Sequence, residues 1–199
     1  MANIRAIQAV GEALRVYLQS TYPAELRTTY PCTFQVLSSG ELSRFEDPTE
    51  SSVALTWYLY RVTISEHARS RFQPGFTPPG AQPALPVELH WMMTVWAASA
   101  AAEHTVFAWA LRQLDLQQVL DTSVLPDDAD WDRAEALQLL PEELPIEDIS
   151  RIWDVLEPSY RLSTCYVTRV VRLDRTTSTP LPVIATRISV GGRSEGGEP

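Results

Sequence analysis

The sequence predicts a single α+β domain: a mixed or antiparallel sheet flanked by an N-terminal helix, a long central helix and a short helix. Three observations lead there. Apolar residues recur at strand spacing in residues 53–64, 87–96 and 160–173. They recur at helical spacing in residues 3–20 and 99–120. The chain has 199 residues, 45% of them hydrophobic, with 6 Trp, 7 Tyr and 5 Phe, which suits one well-filled core and excludes a wholly disordered protein.

The first helix places Ile7, Val10, Leu14, Tyr17 and Leu18 on one stripe. Asn3 is positioned to cap it, Gly11 weakens it by about 1 kcal/mol relative to Ala, and Tyr22-Pro23 ends it. A short strand follows at 33–37, then a polar loop at 38–52. Residues 53–64 are apolar on both faces: Val53, Leu55, Trp57 and Leu59 on one, Ala54, Tyr58, Tyr60, Val62 and Ile64 on the other. Such a strand is expected in the middle of its sheet. Five prolines between 72 and 86 forbid a helix or a central strand and predict a loop.

Residues 87–96 resume a strand, and the alanine-rich helix 99–120 presents Phe107, Ala110, Leu111 and Leu114 as its buried stripe. A loop at 126–130 leads to a short strand at 136–140. Pro145 then opens a small helix with Glu147 and Asp148 in its first turn, where carboxylates meet the positive helix end. Its apolar face is Ile146, Ile149, Trp153 and Leu156, and Pro158 stops it. Strands at 160–173 and 183–190 complete a domain spanning 1–190, with a polar, glycine-rich tail at 191–199 expected to be disordered.

Every one of the 16 basic residues is arginine, which removes Schiff-base and P-loop-lysine chemistry. The net charge is −9, and residues 115–157 hold 13 acids against Arg133 and Arg151. No basic excess exists to neutralise phosphates, so nucleic acid is not an expected partner. Neither a membrane-spanning run nor a secretory leader is legible, so no membrane insertion is expected and the cytoplasm is the expected compartment. Two cysteines, Cys32 and Cys165, make no disulfide framework or zinc ribbon.

The search for chemistry ends without a site. His90, Glu103 and His104 are the one candidate metal cluster. Yet adjacent Glu-His on a helix diverge by about 100°, and the spacing matches no two-His motif. The expectation is a satisfied or surface histidine. His67 lacks a visible partner for general-base work. Cys32 and Cys165 carry no nucleophile signature, and Cys165 reads as a small packed residue. Asp128, Asp130 and Asp132 alternate as in a calcium loop but lack its glycine and terminal glutamate, so a solvated acidic loop is expected. Glu142-Glu143 is read the same way. Arg61, Arg169 and Arg172, in strands, are candidates to pair with these acids, within one chain or between two, a choice the sequence leaves open. No catalytic, cofactor-binding or metal-binding residue is predicted, and no cofactor.

Four stretches together carry a resemblance. They are Leu55-Thr-Trp-Tyr-Leu-Tyr-Arg-Val-Thr63, Leu85-Pro-Val-Glu-Leu-His-Trp-Met-Met-Thr94, Leu144-Pro-Ile-Glu-Asp-Ile-Ser-Arg-Ile-Trp153 and Tyr160-Arg-Leu-Ser-Thr-Cys-Tyr-Val-Thr168. In this order and spacing the chain resembles the Pvc16 N-terminal domain family, also called DUF4255, over residues 4–190. That family contains tail-terminator, or cap, proteins of extracellular contractile injection systems. The resemblance implies an α+β subunit similar to contractile-phage tail terminators, assembled into a six-fold ring on the end of the inner tube. It implies partners in the tube protein, the sheath protein and further copies of the chain, a role without catalysis, and assembly in the cytoplasm into a phage tail-like particle. A small-ligand-binding module and a baseplate-type adaptor are the alternatives. Two further expectations concern the ring: residues 127–132 point away from the seam between copies, and an exposed strand edge pairs with a neighbour or with sheath.

Overall fold

The computed structural model describes residues 2–49, 52–65, 84–132 and 135–173. The elements in chain order are α1 (Ala6–Thr21), α2 (Ala24–Thr29), β1 (Cys32–Leu37), α3 (Ser39–Leu42), β2 (Val53–Ile64) and β3 (Leu85–Ala97). They continue with α4 (Ala100–Leu116), β4 (Val119–Asp121), a 3₁₀ turn (Asp127–Ala129), β5 (Ala136–Glu142), α5 (Ile146–Val155) and β6 (Ser163–Leu173). Among the described residues one six-stranded sheet runs in the order β1-β2-β3-β6-β5-β4. Only β1 and β2 are parallel; the other neighbours are antiparallel. The α+β class, the mixed sheet and its three flanking helices are thus as the sequence predicts.

Period-2 patterning in the central strands sends Leu55, Trp57, Leu89, Trp91, Met93 and Val95 to one face, where α1 and α4 cover them. Val10, Leu14 and Leu18 of α1 and Val106, Ala110 and Leu114 of α4 are buried there. Each such large side chain contributes about 1.5–3 kcal/mol through burial. Gly11 has its reason here: a Cβ at that position would lie 2.9 Å from Trp91 Cη2 and 3.3 Å from Val36 Cγ1, so α1 crosses the sheet where only glycine fits. Tyr22 packs edge-on against Trp109 and Phe34, with centroids 4.7 and 5.4 Å away, and locks the end of α1 to α4 and β1.

The second face holds a smaller core. Ala54, Met92, Trp96 and Cys165 from the sheet meet Leu42 of α3 and Trp153 and Leu156 at α5. Trp96 and Trp153 pack edge-on at 5.9 Å, and the Arg161 guanidinium lies 5.5 Å over the Trp96 ring while binding Asp47 at 2.5 Å.

Several sequence expectations are corrected. The stretch 38–52 contains α3, closed by a capping box: Ser38 N donates to Glu41 at 2.8 Å, and Glu41 N donates to Ser38 Oγ at 3.4 Å. Helix 99–120 ends at Leu116, because Leu120 is drawn into β4, fully buried and opposite Leu137. Its buried stripe is Ala102, Val106, Ala110 and Leu114, one position off for two residues: Phe107 is half-buried and Leu111 is 36% exposed. Strand β3 begins at Leu85, so Pro86 lies inside a central strand. It is tolerated at the second position, past the last β2–β3 pair at Ile64 and Val87.

At the termini of elements the differences are smaller. Asn3 is not the cap of α1; Arg5 occupies that position without a side-chain cap bond. Asn3 Oδ1 instead accepts Arg5 N at 2.8 Å, and its amide donates to Asp130 at 2.7 Å. Pro145 is the residue before α5 rather than its first, and Ile146 is 57% exposed while Trp153 and Leu156 are buried. Strand β5 extends to Glu142, and β6 starts at Ser163, three residues after the predicted start. The expected strand at 183–190, the tail at 191–199 and most of the 72–86 loop lie outside the described residues.

Candidate functional site

A bulge in β2 organises the most polar part of the second face. Register with β3 shifts between Leu59 and Arg61, leaving Tyr60 as the extra residue. Before the bulge Leu55 opposes Val95; after it Val62 opposes Leu89 and Ile64 opposes Val87. Opposed residues share a face, so Val62 and Ile64 fall on the side of α1 and α4, not with Tyr58 and Tyr60 as strict alternation predicts. Arg61 and Thr63 take the other side, beside His90 and Glu88.

Four side chains converge there. His90 Nδ1 lies 2.9 Å from Glu142 Oε2, and Thr63 Oγ1 lies 3.0 Å from His90 Nε2. Tyr60 donates its hydroxyl to Glu142 at 2.6 Å, and its ring stands edge-on to the imidazole with centroids 5.9 Å apart. Burial first, and then the bond to Glu142, push the Tyr60 phenol well above its usual range. Cys165 sits beside this cluster, its thiol pushed up to about 12 by burial and by the charge of Glu142.

A hydroxyl, an imidazole and a carboxylate in line are the parts of a nucleophile relay. Such a relay needs a cleft opening on the hydroxyl. The groove on this face, of about 500 Å³, opens instead on Tyr58 and Tyr60, between Ser39 and Ser43 of α3 and Ile152 and Val155 of α5. Through these hydrogen bonds the cluster ties β2, β3 and β5 together. His90 is the satisfied histidine expected. Glu142, read as solvated acid, is its partner; no spacing in the sequence links them, because the bulge that aims Tyr60 is set by tertiary register.

The remaining candidates are not brought together. Glu103 and His104 lie on α4, across the sheet from His90, and among the described residues no group of three His, Cys, Asp or Glu side chains has metal-binding geometry. His67 is outside the described residues. Cys32 is half-buried with its thiol pushed up to about 12 by burial, and Cys165 is buried; both are free. Arg169 pairs with Glu88 at 3.2 Å and Arg172 with Glu135 at 3.8 Å, acids outside the 127–132 loop; Arg61 is exposed. That loop is more than solvated acid: Asp130 takes a left-handed conformation (φ 53°), and Asn3 binds both its carboxylate and the Asp128 carbonyl. Among the described residues no helix is long and apolar enough to cross a membrane.

The fold defines the class first: an α+β domain whose mixed six-stranded sheet is packed on both faces. The sequence matches the Pvc16 N-terminal domain family over residues 9–185, and the chain belongs to that family. Two solved structures share its fold. One is the sheath/tube terminator of an extracellular contractile injection system, PVC, in the extended state: TM-score 0.53, 18% identity, 95% of this chain and 65% of that one. The other is the tube-terminating cap of the anti-feeding prophage: TM-score 0.50, 18% identity, 94% and 62% covered. The chain thus spans somewhat less than two thirds of either. No curated protein matches it.

Proposed function

We propose that this chain is a tube-terminating cap of a contractile injection system. Six copies close into a ring on the end of the inner tube, stop its growth and anchor the last layer of sheath. The chain works by assembly, without catalysis or cofactor, and assembles in the cytoplasm into a phage tail-like particle. The observation that carries the reading is family membership over residues 9–185, supported by a fold held in common with a sheath/tube terminator and a tube-terminating cap. The site fits it: the polar cluster is spent on internal hydrogen bonds, and among the described residues Ile64, Val155 and Tyr160 are exposed apolar side chains that suit subunit contacts.

The test is negative-stain microscopy of the protein alone and mixed with its tube partner. Six-fold discs, or tubes with blunt ends bearing an extra layer, are the expected images, and particles made without the chain should have overlong tubes. Tubes whose ends and lengths ignore the protein would reject the reading.

A further inference from the structure

We propose that the groove between α3 and α5 is a docking site for a cationic segment of a partner protein. An apolar side chain of that segment fills the groove, and its arginines or lysines meet the acidic rim of α5. The site is a property of this chain whether or not it caps tubes.

Shape supplies the first argument. The groove, of about 500 Å³, is lined by Tyr58 and Tyr60 of β2, by Ile152, Val155 and Leu156 at α5, and by Ser39, Gly40 and Ser43 at α3. Trp153 and Leu156 bury the inner side of α5, whereas Val155 lines the groove and is 85% exposed. A partner's apolar side chain entering there removes Val155 and the two tyrosine rings from water.

Charge selects the occupant. Arg151 lines the groove, and helical spacing surrounds it with Glu147, Asp148 and Asp154, four and three residues before it and three after. Its guanidinium is already bound to Asp148 at 3.1 Å. Glu147, Asp154 and Glu157 are exposed and have no guanidinium partner among the described residues. On the opposite wall Glu41 is bound to Ser38 and offset by Arg44, one turn further on. Arg61 is exposed beyond Tyr60, so the whole rim sets five carboxylates against three arginines, with the excess on α5. The C-terminal end of α5 lies at the groove with no basic residue in its last turn, and its free carbonyls add to the negative field.

Spacing makes the occupant a chain segment rather than a small cation. From Glu147 to Asp154 the rim runs about 10 Å along α5, and Glu157 extends it past the helix end. Cations several residues apart on one backbone reach both ends of that rim while an apolar residue between them enters the groove. Tyrosine surface also suits an arginine or lysine, whose aliphatic stem packs on the ring while its charge stays at the carboxylates. Complementary charge on the partner thus fixes its orientation, and apolar burial holds it.

Three blocked decapeptides probe this with the full-length chain at about 0.15 M salt, where the screening length is about 8 Å. The first sets two central leucines between arginines, the second replaces the arginines with glutamates, and the third replaces the leucines with serines. The first should bind and slow amide exchange in α5, and the other two should bind at least about tenfold more weakly. Asp154→Lys with Glu157→Lys, and separately Val155→Ser, alter exposed side chains. Each should weaken the first peptide about tenfold while leaving the melting temperature unchanged. Asp127→Lys with Asp128→Lys makes the same change of charge at the 3₁₀ turn beside Asn3 and should leave affinity within about twofold. No binding of the first peptide, equal affinity for the arginine and glutamate peptides, or an equal loss in the 127/128 variant would overturn the proposal. So would protection of α5 that rises with protein concentration without peptide, since a second copy would then fill the groove. A cap that binds tubes normally but takes none of the peptides would sink this site and leave the terminator reading standing.

Discussion

Three tryptophans that look alike in the sequence differ in what holds their indole N–H. Trp91 donates to Thr168 Oγ1 at 3.0 Å and Trp96 to Thr56 Oγ1 at 2.9 Å, whereas Trp57 Nε1 is buried with no acceptor among the described residues. Trp57→Phe removes an unsatisfied donor along with its volume, and Trp91→Phe breaks a buried hydrogen bond. We expect Trp91→Phe to be the more destabilising by about 1 kcal/mol, read by denaturant unfolding. Gly11→Ala should also destabilise, by about 1–3 kcal/mol, although alanine is the better helix former. The Trp91 ring lies where its Cβ would go, so a rise in stability would mean that α1 slides freely over the sheet. Neither constraint was legible: composition counts tryptophans and pattern buries them, but which indole finds an acceptor depends on cross-strand register. The small packed Cys165 was legible from its alternation in an apolar strand. Its thiol, pushed up to about 12, should alkylate far more slowly at pH 8 in the native protein than in urea.

At the level of elements, the strongest periodicities survived folding and the short elements escaped. β2 has the bounds its pattern predicts, and α1 differs by three residues at its start and one at its end. The four residues of α3 carry no period and so read as loop by pattern, yet Ser38-x-x-Glu41 marks a reciprocal cap that needs no apolar stripe. β4 was hidden because Leu120 continues the helical spacing of α4, and only pairing with β5 decides its state. Ser38→Ala should cost about 1 kcal/mol, seen as a fall of roughly 2–4 °C in melting temperature. The two bonds from Ser38 hold the Glu41 carboxyl below its usual range. A carboxyl depressed by folding contributes stability above its unfolded value and loses it as pH falls through the folded one. The contribution of this cap should therefore be intact at neutral pH and fade with acidification below about pH 4.5. In Glu41→Gln that acid-side slope should be shallower; an unchanged slope would show that the carboxylate does not titrate with folding.

Over the whole molecule, charge is the feature that the proposed ring would have to accommodate. Each copy carries −9, concentrated in residues 115–157, so the six copies of the proposed ring would repel unless those stretches were kept apart. The sequence could locate this excess but not aim it, because direction is a tertiary property. In the fold, the 127–132 segment is committed to the chain's own N-terminus: Asn3 N donates to the Ala129 carbonyl at 2.9 Å, the Asn3 amide holds Asp130, and Ala2 N donates to Arg172 at 2.9 Å beside a bridge to Leu173. Asp127 and Asp128 remain exposed beside that anchor. If they point away from the seam, the net effect of charge on assembly is repulsion at long range, and salt should relieve it. Raising ionic strength to about 0.5 M shortens the screening length to about 4 Å. The fraction of tube ends bearing a ring, counted by negative stain, should then rise, and the pair Asp127→Asn with Asp128→Asn, which removes two negative charges per copy, should raise the low-salt fraction rather than lower it. A ring that dissolves in salt, and that the double substitution disrupts, would place those aspartates in an attractive seam and reverse the assignment.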